Sequence, residues 1–224
     1  GPTMLEEMGA WFALAAFSSA TIIIASVIAL KSDNLKRRLA YSTVSQLSYI
    51  VLGTALLGSM AWTGAIMHVV AHGVTKITLF FCAGAIHIRT HKEKVSELNG
   101  IGRVMPITMA AFAIASLGMV GIPPFAMFGS KFLLGLGAIE TGHPLILIIY
   151  LGSGLLNAAY LLPIVYRSFF RSADIAGSNE APLIMVLPIA LTASLALILG
   201  LFPDMLFEFY TLASKVGTSL EAIK

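Results

Sequence analysis

Within the apolar run AIMHVVAHGVTKITLFFCAGAI, residues His68, His72 and Lys76 recur every four positions. Residues four apart share one face of an α-helix. At 1.5 Å of rise per residue each step is about 6 Å, a gap that one water can bridge. Imidazole titrates near neutral pH and can accept a proton on one nitrogen while releasing one from the other. A low-dielectric site disfavours the charged form of an amine, so a buried lysine can give up its proton far more readily than one in water. These residue types at this spacing are suited to a proton relay. A second lysine, Lys131 in FAMFGSKFLL, lies in another apolar stretch. Each lysine near a bilayer centre costs about 3 kcal/mol on insertion scales, and no Asp or Glu lies deep in these stretches to offset it. Simpler readings stay open. A histidine on an apolar helix can be a packed, hydrogen-bonded residue, and Lys131 can snorkel from a helix end. Two histidines at i and i+4 can share a metal, but no carboxylate follows at ligand spacing, so no metal is expected.

The elements that must hold these groups are membrane spans. Of 224 residues, 58% are hydrophobic and 11% charged, against about 25% charged in soluble domains; the mean hydropathy is +0.90. The net charge of +3 on such a chain is a matter of loop placement, not a nucleic-acid signal. The lone Cys82 cannot form an internal disulfide and reads as a small apolar filler. A crossing needs about 20 apolar residues. Six stretches qualify: Met8 to Leu30, Leu39 to Met60, Trp62 to Ile86, Pro106 to Ile139, Leu145 to Phe170 and Pro182 to Phe202. The fold expected is all-α, a polytopic transmembrane helix bundle of about six spans with one broken helix. Its segments are a first helix (1–30), a core (31–139), two further helices (140–202) and an amphipathic tail (203–224) lying at the interface.

The break falls in 106–139. Proline removes a backbone donor and clashes with the preceding turn, so Pro123 and Pro124 end a helix there, and Gly121 adds freedom. Broken helices are tolerated at membrane depth only against protein or a wet cavity; the other reading is two short elements joined by a turn outside the bilayer. Lys131 then sits on the second turn of the restarted helix, beside Ser130. The second span opens with LKRRLAYSTVSQLSYI, which places Lys36, Tyr41, Ser42 and Ser45 near one end; these polar groups serve helix packing or support water beside a relay. Ten of the fourteen Lys and Arg residues fall on one side of the membrane if the spans alternate. The positive-inside rule makes that side cytoplasmic and puts the C-terminal tail, with Lys215 and Lys224, outside. The sequence carries no G-x-G-x-x-G on a strand, no P-loop and no cysteine cluster, so a soluble dehydrogenase is not expected.

The segments DNLKRRLAYSTVSQLSYI (33–50), AHGVTKITLFFCAGAI (71–86) and LGMVGIPPFAMFGSKFLL (117–134) resemble the antiporter-like proton-conducting subunits. That family includes the large membrane-arm subunits of respiratory complex I, Mrp sodium/proton antiporter subunits and membrane subunits of energy-converting hydrogenases. The resemblance implies the second half of a fold of about fourteen helices, its second inverted repeat plus a C-terminal helix. It places His72 and Lys76 at titratable positions, and Lys131 at the position on the broken helix that exchanges protons with the outer side. The family's first repeat, with its own glutamate and lysines, has no counterpart here, so either the chain is a fragment or another polypeptide supplies that half. The function implied is proton translocation within a redox-driven complex such as a proton-translocating NADH:quinone oxidoreductase, through His68, His72, Lys76 and Lys131 and intervening water. No cofactor is needed. The partners implied are the lipid bilayer and other membrane subunits, and the setting is a prokaryotic inner membrane. The alternatives are an Mrp-type antiporter subunit, whose activity would depend on sodium, and a non-conducting scaffold.

Overall fold

The computed structural model describes residues 2–172, 180–205 and 208–222; Gly1 and Lys224 lie outside the described residues. Among those described there are ten helices and no strand. Helix α1 (Pro2–Glu7) leads into α2 (Ala10–Lys31), followed by α3 (Leu35–Ala55) and α4 (Ser59–Thr90). A 3₁₀ turn at Val95–Glu97 and the short α5 (Ile101–Val104) precede α6 (Pro106–Val120) and α7 (Ala126–Glu140). The chain continues through α8 (Pro144–Phe170), α9 (Leu183–Leu201) and α10 (Phe209–Ala222). This is an integral membrane protein built as a helical bundle.

Among the described residues four helices, α2, α4, α8 and α9, are long and apolar enough to cross a membrane. The other two expected crossings differ in kind. Helix α3 is long, but Lys36, Arg37, Arg38 and the serines that follow make its first half polar. The stretch 106–139 is two helices of 15 residues, neither able to span alone. The second and third spans also shift in bounds from those expected. The Asn34 side chain accepts from Arg37 N–H at 3.0 Å and starts α3 four residues early. Leu57, at φ 54°, and Gly58 turn the chain, so α4 begins at Ser59 and runs on to His91, whose φ of 55° ends it.

Helix α4 is the central member, packed against α3, α6, α7, α9 and α10. One apolar cluster around Leu39, Leu79, Phe112, Met119 and Tyr160 fills the bundle toward the basic loops. A second, with Tyr49, Leu52, Leu134 and Tyr150, fills it toward the α3–α4 turn. Large apolar side chains such as Phe17, Leu155 and Ile184 point outward, the pattern a lipid-facing surface requires. The basic loops gather at one end. Leu35 N–H donates to Glu93 O, Val95 N–H to Asp33 O, and Gly100 N–H to Arg167 O. At the other end Met60 N–H donates to the Glu140 carboxylate, and the rings of Trp11 and His143 lie 4.7 Å apart. Helix α10 seats there through Ala213 and Gly217, the latter tight against Ser59 and Thr63 of α4.

Candidate functional site

The broken helix is built from its local chemistry. Gly121, at φ +91°, caps α6, and its N–H donates to Leu117 O and Gly118 O; this left-handed turn suits glycine. Pro123 and Pro124 follow, and Phe125 leads into α7. The break leaves the last carbonyls of α6 without partners inside their own helix. Lys131 supplies one: its Nζ donates to Met119 O at 2.6 Å and to Val120 O at 3.3 Å. An ammonium at a helix C-terminus also meets the negative end of the helix dipole. Lys131 is partly buried, and its Nζ lies 5.4 Å from the centre of the Tyr49 ring, within cation–π range.

Helix α4 presents His68, His72 and Lys76 on its buried face, each no more than 5% exposed. The two imidazoles are parallel, with centroids 6.1 Å apart, and Tyr49 stacks on His68 at 5.4 Å. His68 Nδ1 lies 3.0 Å from Ser130 Oγ, and the Ser130 hydroxyl donates to Met127 O. The Ser130 hydroxyl thus bridges His68 on α4 to the backbone of α7. Gly64 makes this approach feasible, since a Cβ there would lie 2.7 Å from Leu134 N and 3.0 Å from Ser130 O. His68 Nε2 and His72 Nε2 are buried and have no hydrogen-bond partner among the described residues. Such orphaned nitrogens in a membrane interior call for water.

Lys76 is held separately. Its Nζ donates to Ser42 Oγ at 2.8 Å and, more weakly, to Leu39 O at 3.4 Å. Ser42 Oγ also lies 2.8 Å from the Tyr160 hydroxyl, and that hydroxyl donates to Asn157 Oδ1. Asn157 Nδ2 stands 3.5 Å from Met119 O, the carbonyl that Lys131 holds. Ser42, Tyr160, Asn157 and a main-chain carbonyl thus lie between the two lysines.

The structure brings the buried His68, His72, Lys76, Ser42 and Ser130 and the partly buried Lys131 into one polar string, with Gly121, Pro123 and Pro124 forming the break beside it. Ser45 faces another way, toward Ser26 Oγ at 2.9 Å and Ile22 O at 3.1 Å, tying α3 to α2. Lys36 lies at the basic end, 3.8 Å from the Glu93 carboxylate, and Tyr41 lies under the Arg37 guanidinium; neither joins the string. Asn157 and Tyr160 went unnoticed in the sequence. Their signal is modest: two polar residues three apart, hence on one face, of the long apolar helix α8. Arg38 is only 8% exposed, and donates to Ser32 O, Tyr160 O and Leu30 O.

Discontinuous helices at membrane depth recur in transporter folds. Residues 3–156 match the family described as NADH:quinone oxidoreductase/Mrp antiporter, TM, and the chain belongs to that family. It is 34% identical over 205 residues to NADH-quinone oxidoreductase subunit N of Desulforudis audaxviator, covering 85% of this chain and 41% of that one. It is 35% identical over 202 residues to NADH-quinone oxidoreductase subunit L of Mycobacterium tuberculosis, covering 86% and 31%. The chain therefore spans less than half the length of these curated relatives. Among solved structures, a chain of the archaeal membrane-bound sulfane sulfur reductase superposes with a TM-score of 0.77 at 28% identity, over 85% of this chain and 32% of that one. Chains of Thermus thermophilus respiratory complex I and of the Dietzia Mrp complex share the fold. Their TM-scores are 0.83 and 0.82, their identities 24% and 22%, and they cover 96% and 95% of this chain and 45% and 49% of theirs.

Proposed function

We propose that this chain is a proton-conducting part of a membrane subunit in a redox-driven complex of the complex I type. The observation that carries the reading is the placement of Lys131 on the free carbonyls of the broken helix, in one polar string with Lys76 and the two histidines. Four ionisable side chains in a membrane interior without a carboxylate among them are costly as packing and useful as a relay. Protons move between neutral and protonated amine or imidazole, through water at the two orphaned Nε2 atoms. In this reading segment 31–139 is the conducting core. The basic loops face the cytoplasm, the C-terminal tail faces outward, and the membrane is a prokaryotic inner membrane. Other membrane subunits, including whatever supplies the family's first repeat, complete the path, and the driving energy arrives from their reaction. The similarity to subunits N and L of NADH-quinone oxidoreductases supports the redox setting. The Mrp antiporter is the second reading, favoured by the family description, which covers both.

The test is proton flux in vesicles holding the complete parent complex with its reaction running, with and without sodium, comparing wild type with Lys131→Ala. Flux should fall by about tenfold or more, the scale of a lost proton-transfer group, while assembly and the partner reaction persist. Unchanged flux would leave the chain a scaffold, and flux that needs sodium would assign it to the antiporters.

A further inference from the structure

Among the described residues two Lys or Arg side chains are buried, Lys76 and Arg38, and the relay uses only the first. Arg38 stands on α3 one turn nearer the basic loops than Ser42, the serine that accepts from Lys76. Tyr160 touches both groups. Its hydroxyl lies 2.8 Å from Ser42 Oγ, and its carbonyl accepts from Arg38 Nη1 at 2.8 Å. The other guanidinium donors go to the end of α2, Nε to Ser32 O at 2.8 Å and Nη2 to Leu30 O at 3.4 Å. All three acceptors are neutral. Among the described residues no carboxylate lies within 4.0 Å of the guanidinium. Asp33, the acid whose field reaches it, commits its carboxylate to Ser96, while Arg167 adds a second positive charge. Beyond Lys76 toward the same end, the face of α4 continues as Leu79, Ala83 and Ile86, each no more than 2% exposed, in the cluster that holds Leu35, Leu39 and Leu98. The polar string therefore stops at Lys76, and Arg38 is the charge set between that end and the basic loops.

A buried cation without an anion is costly, and neutral carbonyls need only a hydrogen-bond donor. What a guanidinium adds is a charge that no physiological pH removes. In a low-dielectric setting such a charge repels any other cation that approaches, the device by which some pores turn back protons and metal cations. We propose that Arg38 is a specificity-determining residue, a fixed-charge seal that keeps protons and cations from passing between the Lys76 end of the relay and the basic loops. The inference rests on the relay reading above and adds to it where the relay is closed and by which residue. Arg38 takes up and releases no proton. It blocks a leak that would otherwise dissipate the gradient the relay serves.

The experiment measures passive proton leak, as the decay of an imposed pH gradient in vesicles holding the complete parent complex at rest. It compares wild type with Arg38→Gln and Arg38→Lys, alongside their thermal unfolding. Both variants lose part of the donor fork and should melt below wild type. Arg38→Gln also loses the charge, so its leak should rise about tenfold or more, the scale of one unit charge acting over a few ångströms near a protein surface. Arg38→Lys should seal like wild type at about pH 6 and leak at about pH 9, where a desolvated amine has lost its proton, while wild type seals at both. Wild-type leak in Arg38→Gln, or a leak in Arg38→Lys that does not change between the two pH values, would overturn the proposal; an equal rise in both variants at every pH would mark a packing defect. The lysine variant decides by itself if the glutamine variant does not assemble. Lys131→Ala, followed with the partner reaction running, separates the two levels: flux equal to wild type fails the relay reading, whatever the leak at Arg38.

Discussion

Lys131 Nζ sits 2.6 Å from the carbonyl oxygen of Met119, across the gap between two half-helices that belong to one stretch of chain. The contact spans only twelve residues, yet it depends on the whole break. Gly121 turns the chain, Pro123 and Pro124 prevent the helix from resuming, and Lys131 on the second turn of α7 reaches back to the end of α6. One ammonium thereby satisfies carbonyls that lipid could not.

The break is braced from outside by α9. Gly200 lies against the backbone of Pro124, Phe125 and Ala126, and a Cβ there would collide with main-chain atoms that cannot rotate aside. Gly200→Val should lower stability by about 1–3 kcal/mol, the usual cost of overpacking, and reduce flux because the break shifts under Lys131. Thermal unfolding of the detergent-solubilised complex reads the first effect and vesicle flux the second. An unchanged melting temperature would show that α9 yields more easily than its close approach implies.

His68 and His72 should respond differently to substitution. His68 is tied to Ser130 at 3.0 Å and holds α4 against α7, whereas the buried His72 Nε2 has no partner among the described residues. His72→Leu is expected to leave assembly and thermal stability at or slightly above wild type, because an unsatisfied buried polar atom is removed. Flux should fall by about tenfold or more. His68→Leu should lose stability as well as flux. Wild-type flux in His72→Leu would make that histidine a packing residue.

Arg38 joins three elements through Leu30 O and Ser32 O at the end of α2 and Tyr160 O on α8. Arg38→Ala leaves buried carbonyls unmatched and should cost about 1–3 kcal/mol. Arg38→Lys should recover only part of it, since a single ammonium cannot reproduce the planar fork of donors. Denaturation midpoints of the two variants against wild type check the order.

The loop clasp at the basic end depends on pH. The Asp33 carboxylate accepts from Ser96 Oγ at 2.7 Å and Ser96 N–H at 3.0 Å. Chiefly through that hydroxyl bond, its pKa is held below the ordinary value of 3.8. A carboxyl with a depressed folded-state pKa contributes stability above its unfolded value and loses it as pH falls through the folded one. Wild type should therefore melt above Asp33→Ala at neutral pH, and the two curves should converge only below about pH 4. Convergence near neutral pH would assign the clasp to another group.

Several features were legible before any coordinates. The four-residue spacing of His68, His72 and Lys76, the proline pair that breaks 106–139, and the clustering of cations in alternate loops are local in sequence. A helix has a fixed period and proline a fixed defect, so the order of residues alone determined the buried face of α4, the existence of the break and the bundle class. Motifs at 33–50, 71–86 and 117–134 pointed to the family for the same reason. What lay beyond the sequence was the choice of neighbours. Lys76 meets Ser42 from 34 residues away, Ser42 meets Tyr160 from 118, and Asn157 reaches Met119 from 38. Ser45, three residues from Ser42, was indistinguishable from it in sequence yet turns to α2 instead. Those pairings depend on how far each helix is rotated about its axis and how closely it can approach the next. Close packing of the whole bundle, at points such as Gly64 and Gly200, decides both, and no single segment carries that information.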